Sequence, residues 1–264
     1  MQIITLTTDW GNKDFFNGMV KGHLYSSIEN VNIVDITHEI RKFDTLDAAF
    51  VVKNACLKFP KNTIHIIDVN SFESCQYAFI VVKARDQFFI CTDNGLPSLI
   101  FEDIEEEIEI YNTEHIYSDG NFYTFAVWDN FCKIAQIISN THSLETIGTR
   151  IDKFAVEQHS FKHYIDGDTL FCKVIHIDDY GNAYLNITQK KFDEILQGRK
   201  GFSISIDRNM VISKIVQSYQ ETKNKGDALL TISSTGNLEL ALRESNFSRL
   251  LGIEINSTIK INLI

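Results

Sequence analysis

Residues 2–8 form an apolar, β-branched run that Asp9-Trp10-Gly11-Asn12 breaks. Phe15, Phe16, Met19, Val20, Leu24 and Ile28 then recur at helical spacing. Asn32 to Ile36 predicts a second short strand. Ala48, Ala49, Val52, Ala55, Cys56 and Phe59 predict a second helix ending near Pro60, and Thr63 to Ile67 a third strand. This alternation of strand and helix is the pattern of a parallel sheet with crossover helices. Residues 78–83 and 87–91 predict a hairpin. Phe125, Trp128, Phe131, Ile134, Ala135 and Ile138 predict the inward face of a helix over 125–139.

Beyond residue 155 the pattern changes to short alternating strands, at 170–177, 183–187, 201–206, 228–233 and 258–263. Helical patterns near 189–196 and 245–251 interrupt them. The expected fold class is α/β: a parallel-sheet sandwich domain with crossover helices over 1–155, and a smaller β-barrel-like or sandwich domain over 156–264. The boundary is placed between Lys153 and Tyr164, and no internal repeat is evident.

Composition narrows the function classes. The 264 residues suffice for a sizeable core, and 44% hydrophobic with 23% charged residues is a globular balance. A net charge of −10 argues against nucleic acid and anionic membranes as partners. No apolar run is long enough to span a bilayer, and Ile3-Ile4-Thr5-Leu6 reads as a strand and not as a secretory leader. Cys56, Cys75, Cys91, Cys132 and Cys172 are scattered and odd in number, which predicts reduced, mostly buried thiols and a cytoplasmic protein.

Candidate chemistry lies where the predicted strands end, because ligands of open α/β sheets bind at those carboxyl ends. Asp9 and Asp14 flank the first turn; a carboxylate there can accept both hydroxyls of a ribose, or Asp14 can cap the following helix. No G-x-G-x-x-G is present, so a dinucleotide fingerprint is absent. Asp35 and His38 suggest a metal, but no second His-rich segment supplies further ligands. His38 is therefore expected to be structural and no metal is expected. Asp93-Asn94-Gly95 makes a turn that also presents the Asn94 amide. Asp178-Asp179-Tyr180-Gly181-Asn182 with Tyr184 and Asn186 holds more amides and phenols than a turn requires. An Asn amide both donates and accepts, as an adenine edge demands, and Tyr rings can stack on a purine. Ser233-Ser234-Thr235-Gly236 can hold a carboxylate through hydroxyls and backbone amides.

The order of these motifs resembles the S-adenosylmethionine hydroxide adenosyltransferases, which share a fold with the fluorinating and chlorinating enzymes. Thr8-Asp9-Trp10-Gly11 with Asp14, then Met19-Val20-Lys21-Gly22, is similar to the family's T-D-F-G-x-x-D and M-K-G. Val34 to Ile40 is its V-D-I-T-H-E-I, and Asp93 to Leu96 its D-N-G-L. Asp178 to Asn182 with Asn186-Ile187 resembles D-x-F-G-N-x-x-T-N-I, and Ser234 to Ala241 resembles S-x-G-x-L-E-I-A.

The resemblance implies a homotrimer whose ligand lies between the N-terminal domain of one subunit and the C-terminal domain of the next. It places Asp9 on the ribose hydroxyls, Asp178 and Ser234 on the amino and carboxylate ends of methionine, and Asn182 on the adenine edge. Tyr184, Tyr219 and Phe43 flank the base, and Asp68 is the catalytic carboxylate. Asp14, Asn94, Phe125, Tyr180, Thr235 and Glu239 complete the expected ligand-binding set. The implied activity is hydrolysis of S-adenosylmethionine to adenosine and methionine by attack at the 5′ carbon, with no cofactor beyond that substrate. The alternative is a catalytically impaired protein that binds S-adenosylmethionine or adenosine. The departures lie at the nucleophile site. No Arg occurs in Ser71 to Tyr77, the P-G-V-G after the family Asp is absent, Ala126 stands at the family His, and Thr235 replaces the halogenases' Arg.

Overall fold

The structure, a computed structural model, describes residues 1–71, 77–113, 125, 127–207 and 210–264, apart from the side chains of Asp129 and Asp207. It divides into two compact units, Met1–Ser160 and Phe161–Ile264.

The first unit runs β1 (Gln2–Thr8), α1 (Phe16–Ser27), β2 (Val31–Thr37), α2 (Thr45–Ala55), β3 (Ile64–Asp68), β4 (Phe79–Ala84), β5 (Gln87–Thr92), α3 (Leu96–Phe101), β6 (Glu109–Asn112), α4 (Cys132–Thr141) and β7 (Thr149–Ile151). Its seven-stranded sheet has the order β2-β1-β3-β5-β4-β6-β7. The sheet is mixed, which refines the expectation of a parallel one. β2, β1, β3 and β5 are parallel, whereas β4, β6 and β7 pair antiparallel. The reversal comes from the β4–β5 hairpin, whose two linking residues Arg85 and Asp86 both have positive φ, 51° and 58°, as a tight hairpin turn requires.

Both faces of this sheet are covered. Ile4, Leu6, Ile64, Ile66, Val81 and Ile90 pack against Val20 and Leu24 of α1 and Ile134, Ala135 and Ile138 of α4. Ile67, Ile80, Val82, Phe89 and Cys91 pack against Ala48 and Val52 of α2 and Leu99 and Ile100 of α3. Burial on two sides explains why the strands read as continuous apolar runs and not as alternating ones. The helix expected over 125–139 is a π-helical turn, Val127–Phe131, followed by α4. No periodic signal announced α3, because six residues are too few to show one.

The second unit runs β8 (Tyr164–Asp166), β9 (Thr169–Ile177), β10 (Ala183–Thr188), α5 (Gln189–Leu196), β11 (Phe202–Asp207), β12 (Met210–Ile212), β13 (Ala228–Ile232), β14 (Asn237–Leu242), α6 (Phe247–Leu251) and β15 (Thr258–Leu263). Its sheet is antiparallel, in the order β12-β11-β15-β9-β10-β14-β13, with β8 also on β9. Val216 N–H donates to Leu230 O at 2.9 Å, so the chain after β12 returns to β13 and nearly closes the sheet into a barrel. Strict alternation along β15 buries Ile259, Ile261 and Leu263, and Phe192 of α5 and Phe247 of α6 are fully buried in the same core. The four described cysteines are buried. No helix among the described residues is long and apolar enough to cross a membrane.

Candidate functional site

Two clusters gather the chemistry, one in each unit. The first forms where β1 and β3 end side by side, with Thr8 in register with Asp68. Asp9 is 9% exposed and Asp68 7%. Asp9 Oδ2 accepts from the backbone N–H of Phe43 at 2.9 Å and of Asn70 at 3.3 Å, and Lys42 Nζ donates to the Asp9 carbonyl. The loop after Asp9 is gripped by the segment after β2. Gly11 N–H donates to His38 O at 2.6 Å, and Glu39 Oε1 accepts from Asn12 N–H at 3.0 Å. Gly11 sits at φ 76°, a conformation that glycine adopts without steric cost.

Among the described residues, one oxygen of Asp68 has a hydrogen bond of normal geometry. The Trp10 indole N–H donates to its Oδ2 at 2.6 Å. Its Oδ1 and the nearby Ser71 Oγ are sealed from solvent and make no hydrogen bond of normal geometry among the described residues. Burial pushes the Asp68 carboxyl up to about 7; Ser71 and Trp10 oppose that rise and the Asp9 charge adds to it. Trp10 is itself packed. It stacks on His38 with ring centroids 6.0 Å apart, and meets Phe125 at 5.1 Å and Phe16 at 6.4 Å. His38 is buried between Thr8 Oγ1 at 2.8 Å and Asp35 Oδ1 at 3.2 Å, and Asp35 also pairs with Lys21. Burial lowers the His38 pKa, with Asp35 opposing. Among the described residues no three His, Cys, Asp or Glu side chains converge to hold a metal.

The other expected residues of this unit fall in different places. The Asn94 amide is engaged with the chain itself: Nδ2 donates to Val69 O at 3.1 Å and Asn70 O at 3.0 Å, and Oδ1 accepts from Leu96 N–H at 3.2 Å. It latches the loop that carries Asp68 and Asn70. Phe43 is 60% exposed at φ 63°. Asp14 is exposed and does not cap α1, whose N-cap is Phe15 with no side-chain bond. Phe125 joins the Trp10 aromatic group. Cys75, Gln76 and Ala126, at the altered nucleophile positions, lie outside the described residues.

The second cluster lines a cleft of about 610 Å³ bounded by Asp178, Tyr180, Asn182 and Tyr219. Asp178 Oδ1 accepts from Asn182 N–H at 2.8 Å, and its Oδ2 from Asn182 Nδ2 at 3.1 Å. Asn182 Nδ2 also donates to the Tyr219 hydroxyl at 3.3 Å, and that hydroxyl donates to Glu239. Glu239 is 4% exposed, and burial raises its pKa. Burial and the neighbouring Glu239 and Asp178 carboxylates push the Tyr184 phenol up to about 12. Tyr180 is exposed at the rim. Ser234 and Thr235 are not in this cluster. They form the turn before β14, at the Thr188 end of the β10–β14 pair, whereas Asn182 precedes its other end. There Thr235 Oγ1 pairs with Ser233 Oγ at 2.7 Å and donates to Asn237 Oδ1 at 2.9 Å, while Ser234 is exposed.

The sequence pattern had not singled out Trp10 as a donor to Asp68. The available signal was Trp10 itself, which adds an N–H where the resembled motif has Phe.

An α/β unit with paired carboxylates at its strand ends, joined in one chain to an antiparallel barrel-like unit, is a distinctive combination. Residues 4–148 match the family model of the SAM hydroxide adenosyltransferase N-terminal domain, and residues 172–260 that of the C-terminal domain. An (R)-S-adenosyl-L-methionine hydrolase of Methanocaldococcus jannaschii is 27% identical over 274 residues, spanning 99% of this chain and 96% of the relative. A protein of the same name from Salinispora tropica is 21% identical, spanning 98% and 97%. A conserved protein of Thermotoga maritima superposes with a TM-score of 0.86 at 25% identity, over 98% of this chain and 99% of that one. One from Thermus thermophilus shares the fold with a TM-score of 0.73 at 17% identity, over the full length of both. The chain belongs to the S-adenosylmethionine hydroxide adenosyltransferase family.

Proposed function

We propose that this protein binds S-adenosylmethionine and hydrolyses it to adenosine and methionine. The observation that carries the reading is the carboxylate pair at the ends of β1 and β3, where among the described residues Asp68 Oδ1 is buried beside Asp9 with no hydrogen bond of normal geometry. Family membership and the names of the relatives support the substrate. In this reading Asp9 accepts the ribose hydroxyls and Asp68 Oδ1 accepts a proton from a bound water. The water oxygen bonds to the 5′ carbon, the C5′–S bond breaks, and its electron pair returns to sulfur as methionine leaves. The leaving sulfur is already cationic, so no acid is needed there. The protein's part is in-line placement and control of the water. Asn182 reads the adenine edge and Asp178 meets the methionine ammonium. The proposed assembly is a homotrimer, in which a neighbouring subunit supplies those C-terminal residues.

A second reading rests on a specific observation: the stretch 71–77 holds no Arg, and Ala126 stands at the family His. A receptor that binds the same ligand without turnover would need neither group. Purified protein incubated with the (R) and (S) sulfonium epimers, and followed chromatographically for adenosine and methionine, decides between the two. Hydrolysis predicts equimolar products that disappear in Asp68→Ala while ligand binding survives. Wild-type protein that binds but releases no product establishes the receptor.

A further inference from the structure

Trp10 occupies the position at which the resembled motif has Phe, and a Phe ring could supply all of its packing against Phe16, Phe125 and His38. What Phe lacks is the indole N–H, which here donates to Asp68 Oδ2 at 2.6 Å. Within the same chain the stretch 71–77 has no Arg to steady that carboxylate. Building on the hydrolytic reading above, we propose that Trp10 is a positioning residue of the reaction: its indole N–H ties Asp68 Oδ2 and thereby aims Oδ1 at the attacking water.

The geometry requires such a donor. A buried carboxylate with one free oxygen and no fixed partner would rotate about its terminal torsion, which has no sharp minimum. The N–H removes that freedom. Trp10 is in turn fixed by stacking on His38, which Thr8 and Asp35 hold from either side. The tether runs from β2 through the ring pair to the end of β3. It holds the carboxylate without neutralising it, as an Arg would. Asp68 therefore stays basic enough to take the water proton, which passes from water to Oδ1 as the C5′–O bond forms, and then to solvent.

Among the described residues, the groups facing Asp68 are Asp9 from the end of β1, Ser71 from its own loop and Trp10; Lys42 sits on the Asp9 carbonyl and His38 behind the indole. Only the ionised Asp68 accepts a proton, so the rate rises with pH through the Asp68 titration. Removing the N–H destabilises the anion and moves that limb to higher pH. In Trp10→Phe, turnover should fall about 10- to 100-fold, the range for losing one hydrogen bond to a charged group. The KM should stay within about threefold, because the substrate does not touch the indole. A packing role alone would leave the limb where it is.

The tether also has a readout that needs no activity. In 15N-labelled wild-type protein the Trp10 indole N–H resonance, assigned by its loss in Trp10→Phe, should titrate with Asp68 and stop doing so in Asp68→Asn. If that resonance titrates but the wild type releases no adenosine, the hydrolytic reading falls and with it the catalytic role of Trp10, while the tether stands. A resonance indifferent to Asp68, or a Trp10→Phe enzyme with wild-type turnover and an unmoved pH limb, overturns the proposal.

Discussion

Asp68 is buried where a charge is costly, and that cost is measurable without any substrate. Burial pushes its carboxyl up to about 7, from the ordinary 3.8. The stability of the neutral form is fully present below the lower value and is lost as pH rises through the upper one. Asp68→Asn is neutral at every pH. It should match the wild type near pH ~4 and be more stable by about 2–4 kcal/mol near pH ~8. Denaturant melts at the two pH values test this, and a gain that does not grow with pH contradicts a buried charge at Asp68. Asp9 carries the complementary prediction. Its Oδ2 is fixed by two backbone N–H groups, so the carboxylate is oriented before any ribose arrives. Asp9→Asn should weaken adenosine and S-adenosylmethionine alike, by about 1.5–3 kcal/mol for each charge-assisted bond lost. Calorimetry showing unchanged affinity for both would reduce Asp9 to a turn residue.

At the scale of elements, the turn between β9 and β10 sets the polarity of Asn182. Its amide nitrogen faces Asp178 Oδ2 and the Tyr219 oxygen, and the Tyr219 proton is committed to Glu239. A flipped amide would set its carbonyl against the Asp178 carboxylate. Asn182 Oδ1 is thus left as an acceptor, which suits the 6-amino group of adenine and not the 6-oxo group of hypoxanthine. Tyr219→Phe removes one partner that enforces this. Preference for adenosine over inosine should fall by about tenfold, read as the ratio of their Kd values. The same turn depends on Gly181, at φ 83°, where a Cβ would come within 2.2 Å of the Asn246 side chain. Asn246 caps α6 by accepting from Arg249 N–H at 2.7 Å. Gly181→Ala should therefore destabilise the protein by about 2 kcal/mol or more, through lost capping and backbone strain together. Chemical denaturation of the variant measures it, and wild-type stability would mean the turn relaxes freely.

At the scale of the molecule, the two clusters lie in separate compact units, Asp9 and Asp68 in one and Asp178 and Asn182 in the other. The proposed homotrimer gives both clusters a shared ligand by bringing one unit of each chain to the other unit of its neighbour. Light scattering should therefore report a mass of three chains, and mixing Asp9→Asn chains with Asn182→Ala chains should restore some complete sites. A stable monomer that binds adenosine with wild-type affinity removes the cross-subunit arrangement.

Much of this was legible in the chain order of the residues. Strand and helix periodicity placed β1, β2, β3, the β4–β5 hairpin and, in the second unit, β9, β10, β11, β13 and β15, because side-chain spacing of two or 3.6 residues is a local property; β8, β12 and β14 were not foreseen. Asp178 and Asn182 were legible as a pair for the same reason, since a single turn brings them together. Other features needed the folded chain. The pairing of β6 on β4 and of β7 on β6 joins segments distant in the chain, which no window of residues records. Where Ser234 and Thr235 stand relative to the Asp178 turn is likewise set by strand register, which puts them before β14 at its Asn237 end. Trp10 and Asp68 are 58 positions apart. Their hydrogen bond exists because two parallel strands end level, and the burial that raises the Asp68 pKa comes from elements drawn from the whole unit. The residue types that could do chemistry were written in the sequence; which of them meet, and at what charge, is a consequence of packing.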